Sequence, residues 1–196
     1  MGGLGLVSIG TTPRPDYEEV FGAQVPPGTE ITVVGALDAL SDEAIAALSI
    51  QHRPGPYPLL CRLAHNGTFL EIDLDVLFPY IAEAARGLGG SGCAVVVVCC
   101  CGNFPRVEGT VPVLFPGRVL PAVAQAVCAA AAPRIAVISP IEGQCAEAEK
   151  HWRAQGFDPV MGYGDWTAED RSHLEETAAA LAAQDDLELV VLDCSK

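Results

Sequence analysis

The chain has 196 residues, half of them hydrophobic and 18% charged, with 25 acidic against 11 basic side chains and a formal net charge of −14. That much apolar surface can offset the entropy of ordering one domain or two small lobes, which excludes a disordered acidic protein. Lys and Arg are few and form no run, so a nucleic-acid backbone is excluded as the expected partner.

Strand and helix signals alternate along the chain. Residues 4–9 read as a buried strand that enters a turn-rich stretch, residues 10–15. A short helix is expected from Asp16, whose side chain would cap it while Glu19 answers three positions later. Residues 31–35 are a second strand. Ser41, Asp42 and Glu43 then open a second helix with an N-cap and an acidic first turn. Prolines between His52 and Pro58 forbid regular structure there. Residues 59–64 and 68–72 flank His65-Asn66-Gly67, and Asn-Gly between alternating runs signals a hairpin. A helix over residues 76–88 follows.

Residues 94–100 are a β-branched run of the kind buried on both faces of a parallel sheet. Residues 119–131 read as a helix, 134–138 as a buried strand, 142–154 as a helix and 159–163 as a short strand. Thr167 with Asp170 is expected to cap a helix running to Ala183, and residues 187–192 form the last strand. This alternation predicts an α/β fold with mostly parallel sheets and right-handed crossovers. Pro and Gly accumulate around residues 109–118, which places a boundary between an N-terminal lobe, 1–110, and a C-terminal lobe, 111–196. A central-type strand should feed a further helix, so the C-terminus reads as cut short.

The first residues lack the charged start of a signal peptide. Met1-Gly2 begins a myristoylation-like pattern, but Leu6 stands where Ser or Thr is needed. The longest apolar runs are too short to span a bilayer, so no membrane partner is expected. Eight cysteines occur, three of them consecutive at Cys99, Cys100 and Cys101. The chain is neither short nor loop-rich, and no C-x-x-C occurs. Both a disulfide scaffold and a zinc site therefore lack support, and a reducing cytoplasm fits best.

In open parallel sheets, ligands bind beyond the carboxyl ends of the strands. The segments expected there are residues 10–16, residues 35–38, Cys100-Cys101-Gly102-Asn103, and Asp193-Cys194-Ser195. Cys100 and Cys194 end two different strands. A thiolate near backbone amides can have its pKa lowered. Two such thiols on opposite faces of a bound carbon acid could work as an acid/base pair, needing neither metal nor organic cofactor. The substrate carboxylate would then be held by the amides of Gly10, Thr11 and Thr12, by the two threonine hydroxyls, and by Arg14. Asn103 and Arg118 are further donors. Against this stands the plainer reading that a Cys in a Val-rich strand is a small buried hydrophobe. It applies most directly to Cys99 and stays open for Cys100 and Cys194. Arg14 also reads as a capping or surface ion-pair residue, and Asp38 as a turn residue.

The stretch Leu6-Val7-Ser8-Ile9-Gly10-Thr11-Thr12-Pro13-Arg14-Pro15-Asp16 resembles the opening of AroM-family proteins, with its Thr-Ile-Gly-Gln-x-Pro-Arg-x-Asp pattern. Gly35-Ala36-Leu37-Asp38-Ala39-Leu40-Ser41 is similar to that family's Gly-Leu-Leu-Asp-Gly-Leu-Ser, and Phe115-Pro116-Gly117-Arg118-Val119-Leu120-Pro121 to its Pro-Ser-Arg-Ile-Leu-Pro. Val137-Ile138-Ser139-Pro140-Ile141-Glu142 with Gln144, and Val190-Val191-Leu192-Asp193-Cys194, follow in the family's order. The resemblance implies kinship with the aspartate/glutamate/hydantoin racemase superfamily, whose members have two Rossmann-like lobes and often use one or two cysteines without a cofactor. It implies catalytic positions for Cys100 and Cys194. Gly10, Thr11, Thr12, Arg14, Cys101, Gly102, Asn103, Arg118 and Ser139 would be the residues that touch substrate.

The expected function is a cofactor-independent racemase- or epimerase-like isomerase acting on a small carboxylate. The alternatives are a one-cysteine decarboxylase or isomerase of the same superfamily, and a non-catalytic carboxylate-binding or regulatory module. Family chains continue past the Asp-Cys motif, and apolar surface left by missing terminal elements would favour a homo-oligomer.

Overall fold

Gly3–Ser8 forms strand β1, and every residue from Leu4 to Ser8 is buried. The period of two sends Val7 into one apolar cluster and Leu4 and Leu6 into another, on opposite faces of the sheet. This is the double burial that a parallel sheet imposes on a central strand. The computed structural model describes residues 2–165 and 171–194. Two units are distinguished: Met1–Cys100 with Phe104–Pro116, and Cys101–Asn103 with Gly117–Lys196.

In the first unit β1 is followed by α1 (Pro15–Gly22), β2 (Ile31–Gly35), α2 (Asp42–Ala46), β3 (Pro58–Arg62), β4 (Phe69–Asp73), α3 (Leu74–Gly90), β5 (Cys93–Val98) and β6 (Val113–Leu114). Parallel pairing orders four of these strands β2-β1-β5-β6, while β3 and β4 form a separate antiparallel pair. Leu77, Ile81 and Ala85 of α3 recur at helical spacing and are buried with Val7, Val96 and Val98. Burying Leu77 or Ile81 contributes roughly 1.5–3 kcal/mol each, as an upper estimate, and the Ala85 methyl less.

The second unit contains α4 (Pro116–Val127), which begins at the boundary, then β7 (Arg134–Ser139), α5 (Cys145–Ala154), β8 (Asp158–Tyr163), α6 (Ser172–Ala182) and β9 (Leu189–Leu192). Its sheet is parallel in the order β8-β7-β9. Central β7 is buried from Ile135 to Ser139, and Trp152 of α5 packs with Ile135, Val137, Phe157 and Val191. The indole meets the Phe157 ring edge-on at a centroid distance of 5.2 Å. Among the described residues no helix is long and apolar enough to cross a membrane.

Several local expectations need correction. Asp16 does not cap α1: the helix begins at Pro15, its N-cap position is Arg14, and no side chain caps it. The Asp16 carboxylate instead accepts from the Arg14 guanidinium, a stronger charged donor than a backbone amide. The strand expected to reach Cys100 ends at Val98. Cys99 N makes one more ladder bond, to Val7 O, and Cys100 N turns back onto Val98 O, both at 2.8 Å. The second face of β5 is only partly covered, with Val95 and Val97 half-buried. The hairpin is wider than an Asn-Gly turn implies, since Arg62 pairs with Phe69. Gly67 supplies the positive φ of +70° in that loop. The helix expected to run to residue 131 ends at Val127, and the one expected from residue 142 opens as a 3-10 turn before α5. The cap expected from Thr167 and Asp170 lies outside the described residues.

Candidate functional site at the strand ends

All strands of the main sheet in the first unit run parallel, so the segments following β1, β2 and β5 leave from one edge. Backbone bonds stitch two of them together: Ala36 N donates to Ser8 O and Leu37 N to Gly10 O. Gly10 is required here by sterics. A Cβ at this position would collide with the Arg62 carbonyl, so only glycine lets the loop close over the end of β3.

The loop amides are already engaged within this unit. Gly10 N donates to Ser8 Oγ at 3.4 Å, Thr11 N to Arg62 O at 3.1 Å, and Thr12 N to Asp38 Oδ1 at 2.7 Å. The Thr11 hydroxyl accepts from Ala64 N, and the Thr12 hydroxyl donates to Asp38 Oδ2, both at 2.7 Å. Asp38 also takes Gly35 N at 2.7 Å. A carboxylate thus sits on these donors, supplied by the chain itself. The Thr12–Pro13 peptide is cis.

Arg14 is 4% exposed. Its Nε and Nη2 fork onto the Asp16 carboxylate, Nη1 reaches Ser8 Oγ at 3.3 Å, and its Cζ lies 3.6 Å from the centroid of the Tyr17 ring. Burial, the largest single influence, would lower its pKa, but the interactions with Asp16 and Tyr17 together outweigh it and the net direction is up. Tyr17 donates a long 3.5 Å bond to Cys99 O, and burial pushes its phenol up. Cys99 is buried with its thiol raised to about 12, and fully buried Cys61 is raised well above its ordinary value. Cys100, by contrast, is half-buried at the edge of the apolar cluster.

In the second unit a chain of contacts joins several candidates. Gly117 lies so close to the Cys101 carbonyl that a Cβ would collide with it, which holds the segment Cys101–Asn103 beside the start of α4 and Arg118. Cys101 and Gly102 are buried, whereas Asn103 and Arg118 are exposed. The Gly117 carbonyl is 3.1 Å from His151 Nε2. Burial, aided by the Arg118 charge, lowers the His151 pKa against the opposing pull of that carbonyl, so its ring is neutral near neutral pH. The next residue, Trp152, donates Nε1 to Asp193 Oδ2 at 3.5 Å.

Asp193 continues the ladder past β9, with its N donating to Ile138 O at 2.9 Å. It is 9% exposed, and burial raises its carboxyl to about 6 against the opposing indole hydrogen bond. Half-buried Cys194 follows it. The register Ile138↔Leu192 sets Ser139 opposite Asp193. Ser139 Oγ is fully buried and has no hydrogen bond of good geometry among the described residues. The half-buried Cys145 thiol is a polar neighbour of that hydroxyl; burial raises its pKa and the Ser139 contact lowers it less. All eight cysteines are thiols, and among the described residues no three His, Cys, Asp or Glu gather as a metal site.

Sequence reasoning quoted Asp193 in a motif without seeing its burial or its raised carboxyl pKa, and it passed over His151, Tyr17 and Cys145. An acid immediately after a buried strand was the available signal for Asp193. The indole that meets it comes from a residue 41 positions away, which no local pattern reveals.

A family profile described as AroM protein matches residues 4–195. The chain belongs to the AroM family. No curated protein matches it. The fold of this AroM-family chain is similar to the crystal structure of an aspartate racemase homologue from Pyrococcus horikoshii OT3, with a TM-score of 0.51 at 14% identity. The match covers 100% of this chain and 86% of that one. The fold is therefore racemase-like: mixed α/β with mostly parallel sheets.

Proposed function

We propose that this chain is a racemase- or epimerase-like enzyme that acts on a small carboxylate without a cofactor, with Cys100 and Cys194 as its proton-transfer residues. One observation carries the reading. Each of these thiols is half-buried just past the carboxyl end of a parallel strand, in a chain of racemase-like fold. Cys61, Cys93 and Cys99 are buried instead.

In the proposed step one cysteine, as thiolate, takes the Cα proton, and the pair of the broken C–H bond remains on carbon. The other cysteine, as thiol, delivers its proton to the opposite face. The first sulfur ends protonated and the second as thiolate, so charge balances and only handedness changes. Negative charge developing beside a carboxylate needs donors. The proposed donors are Gly102 and Asn103, Arg118 and Ser139; the Gly10, Thr12 and Arg14 groups are bonded within the first unit. Gly10 and Thr11, with Arg14, then shape the loop, and Cys101 positions the segment that follows it.

The test is hydrogen–deuterium exchange at Cα. A panel of amino and hydroxy acids is incubated with the chain in heavy water and followed by NMR. At least one acid should lose its Cα proton signal, and Cys100→Ser and Cys194→Ser should each stop the exchange. No exchange by any acid would sink the enzyme reading, and exchange surviving both substitutions would sink the cysteine chemistry.

A second reading is a carboxylate-binding or regulatory module, in which the exposed Asn103 and Arg118 side chains hold the carboxylate without proton transfer. It predicts thermal stabilisation by small carboxylates with no exchange at Cα.

A further inference from the structure

Strand β2 is the outer strand of its sheet, with β1 as its strand neighbour among the described residues. The helix that covers this face, α3, is centred over β1 and β5, so the surface over Thr32 and Val34 is only partly covered. Between that surface and one side of α3 lies a cleft of about 610 Å³ within the first unit. Its walls are aliphatic: Val34, Ala36 and Leu40 on one side, Ala84 and Leu88 on the other. Tyr80 and Glu83, three positions apart and therefore on one face of α3, also line it. Its charged lining residues are Asp38 and Glu83, both acidic, and no basic side chain lines it.

We propose that this cleft binds a small amphipathic cation, an alkyl or aryl-alkyl primary amine. The hydrocarbon part lies on Val34, Ala36, Ala84 and Leu88, and the ammonium group sits between the Glu83 carboxylate and the Tyr80 ring. The volume falls in the range of small-molecule sites, which pair apolar walls with a few orienting polar groups. A carboxylate beside an aromatic face is the chemistry that takes an ammonium, by ion pairing and by cation–π attraction. The two acids repel an anionic head group, and the net charge of −14 adds to that selection. The ligand class is opposite in charge to the carboxylate substrate proposed above, so this inference stands independently of that reaction. It reaches the strand-end loops through Asp38, which lines the cleft and whose carboxylate holds Thr12 and Gly35.

Gly87 offers a clean way to block the cleft. It lines the cleft, and a Cβ there would meet nothing within 4 Å. Gly87→Leu therefore projects into the open space while replacing a helix-interior glycine with a strong helix former.

The experiment is an amide-resolved NMR titration of the full chain with hexylammonium and 2-phenylethylammonium, set beside hexanol and hexanoate as neutral and anionic counterparts. The ammonium probes should give saturable shifts at Val34, Ala84 and Gly87. Hexanol should bind about tenfold more weakly and hexanoate not at all. Gly87→Leu should weaken ammonium binding by about tenfold or more, and Glu83→Gln should bring hexylammonium to parity with hexanol. Equal binding of the three hexyl head groups, shifts confined to other parts of the chain, or unchanged affinity in Gly87→Leu would overturn the proposal. The spectrum of Gly87→Leu reports its folding. If it misfolds, Tyr80→Leu and Glu83→Gln decide the question by the same head-group comparison. Because the readout is binding at named amides, its failure leaves the Cα-exchange result untouched, and the reverse also holds.

Discussion

Replacing Asp193 with Asn should change how stability depends on pH, by an amount that follows from its burial. The carboxyl is 9% exposed, and burial raises it from 3.8 to about 6. The unfolded chain gives up this proton near 3.8 and the folded chain only near 6, so between those values the folded state binds more protons. Stability from this group is therefore full below about pH 3.8 and falls as pH rises through about 6. A shift from 3.8 to about 6 is roughly 2 units, which at about 1.4 kcal/mol per unit makes the loss about 3 kcal/mol. Asn keeps the shape and an acceptor for the Trp152 indole while removing the charge. Urea denaturation of both proteins, followed by tryptophan fluorescence between about pH 4 and about pH 8, measures the difference. The Asn variant should gain on the parent progressively across this window, ending up to about 3 kcal/mol more stable. Parallel curves would show that the Asp193 carboxylate is solvated or paired in the fold, and the desolvation argument would fail.

Gly117→Ala should destabilise by about 1–3 kcal/mol, because the added Cβ meets the Cys101 carbonyl; a raised melting temperature, which helix propensity alone would give, would contradict this. Asp38→Ala removes the acceptor of Thr12 N, Thr12 Oγ1 and Gly35 N, and should cost about 1–3 kcal/mol. Faster hydrogen exchange at the Thr12 and Gly35 amides would register it, and unchanged protection would refute it. With iodoacetamide at neutral pH, mass spectrometry should find Cys61 and Cys99 among the last thiols alkylated, since burial holds both far above their ordinary values. Early modification of either would mean that these interiors open readily.

The strands were legible because each central one is a run of mostly apolar residues bounded by Gly or Pro, and doubly buried parallel strands leave that mark. The segments at the carboxyl edge followed from the alternation alone. What stayed hidden were partnerships between distant positions. Thr11 N is tied to Arg62 O and Thr12 N to Asp38, so loop amides that look available in the sequence are spent in the fold. Asp16 has the spacing of a capping residue, yet a guanidinium two positions away competes better for its carboxylate. The two-residue β6 is too short to carry a period. Pro79 and Pro121 lie inside α3 and α4, as the helices expected over residues 76–88 and 119–131 implied.

A central strand of each unit ends in a serine with no exposure, Ser8 of β1 and Ser139 of β7. Ser8 Oγ receives Arg14 and Gly10 N, so alanine at position 8 would strand a buried guanidinium arm. Ser139 Oγ gives up no such bond, and alanine there would relieve a desolvated hydroxyl. Selection for folding alone would hold the first serine and let the second drift. A hydroxyl that persists at position 139 among relatives would record a demand made by something other than the fold.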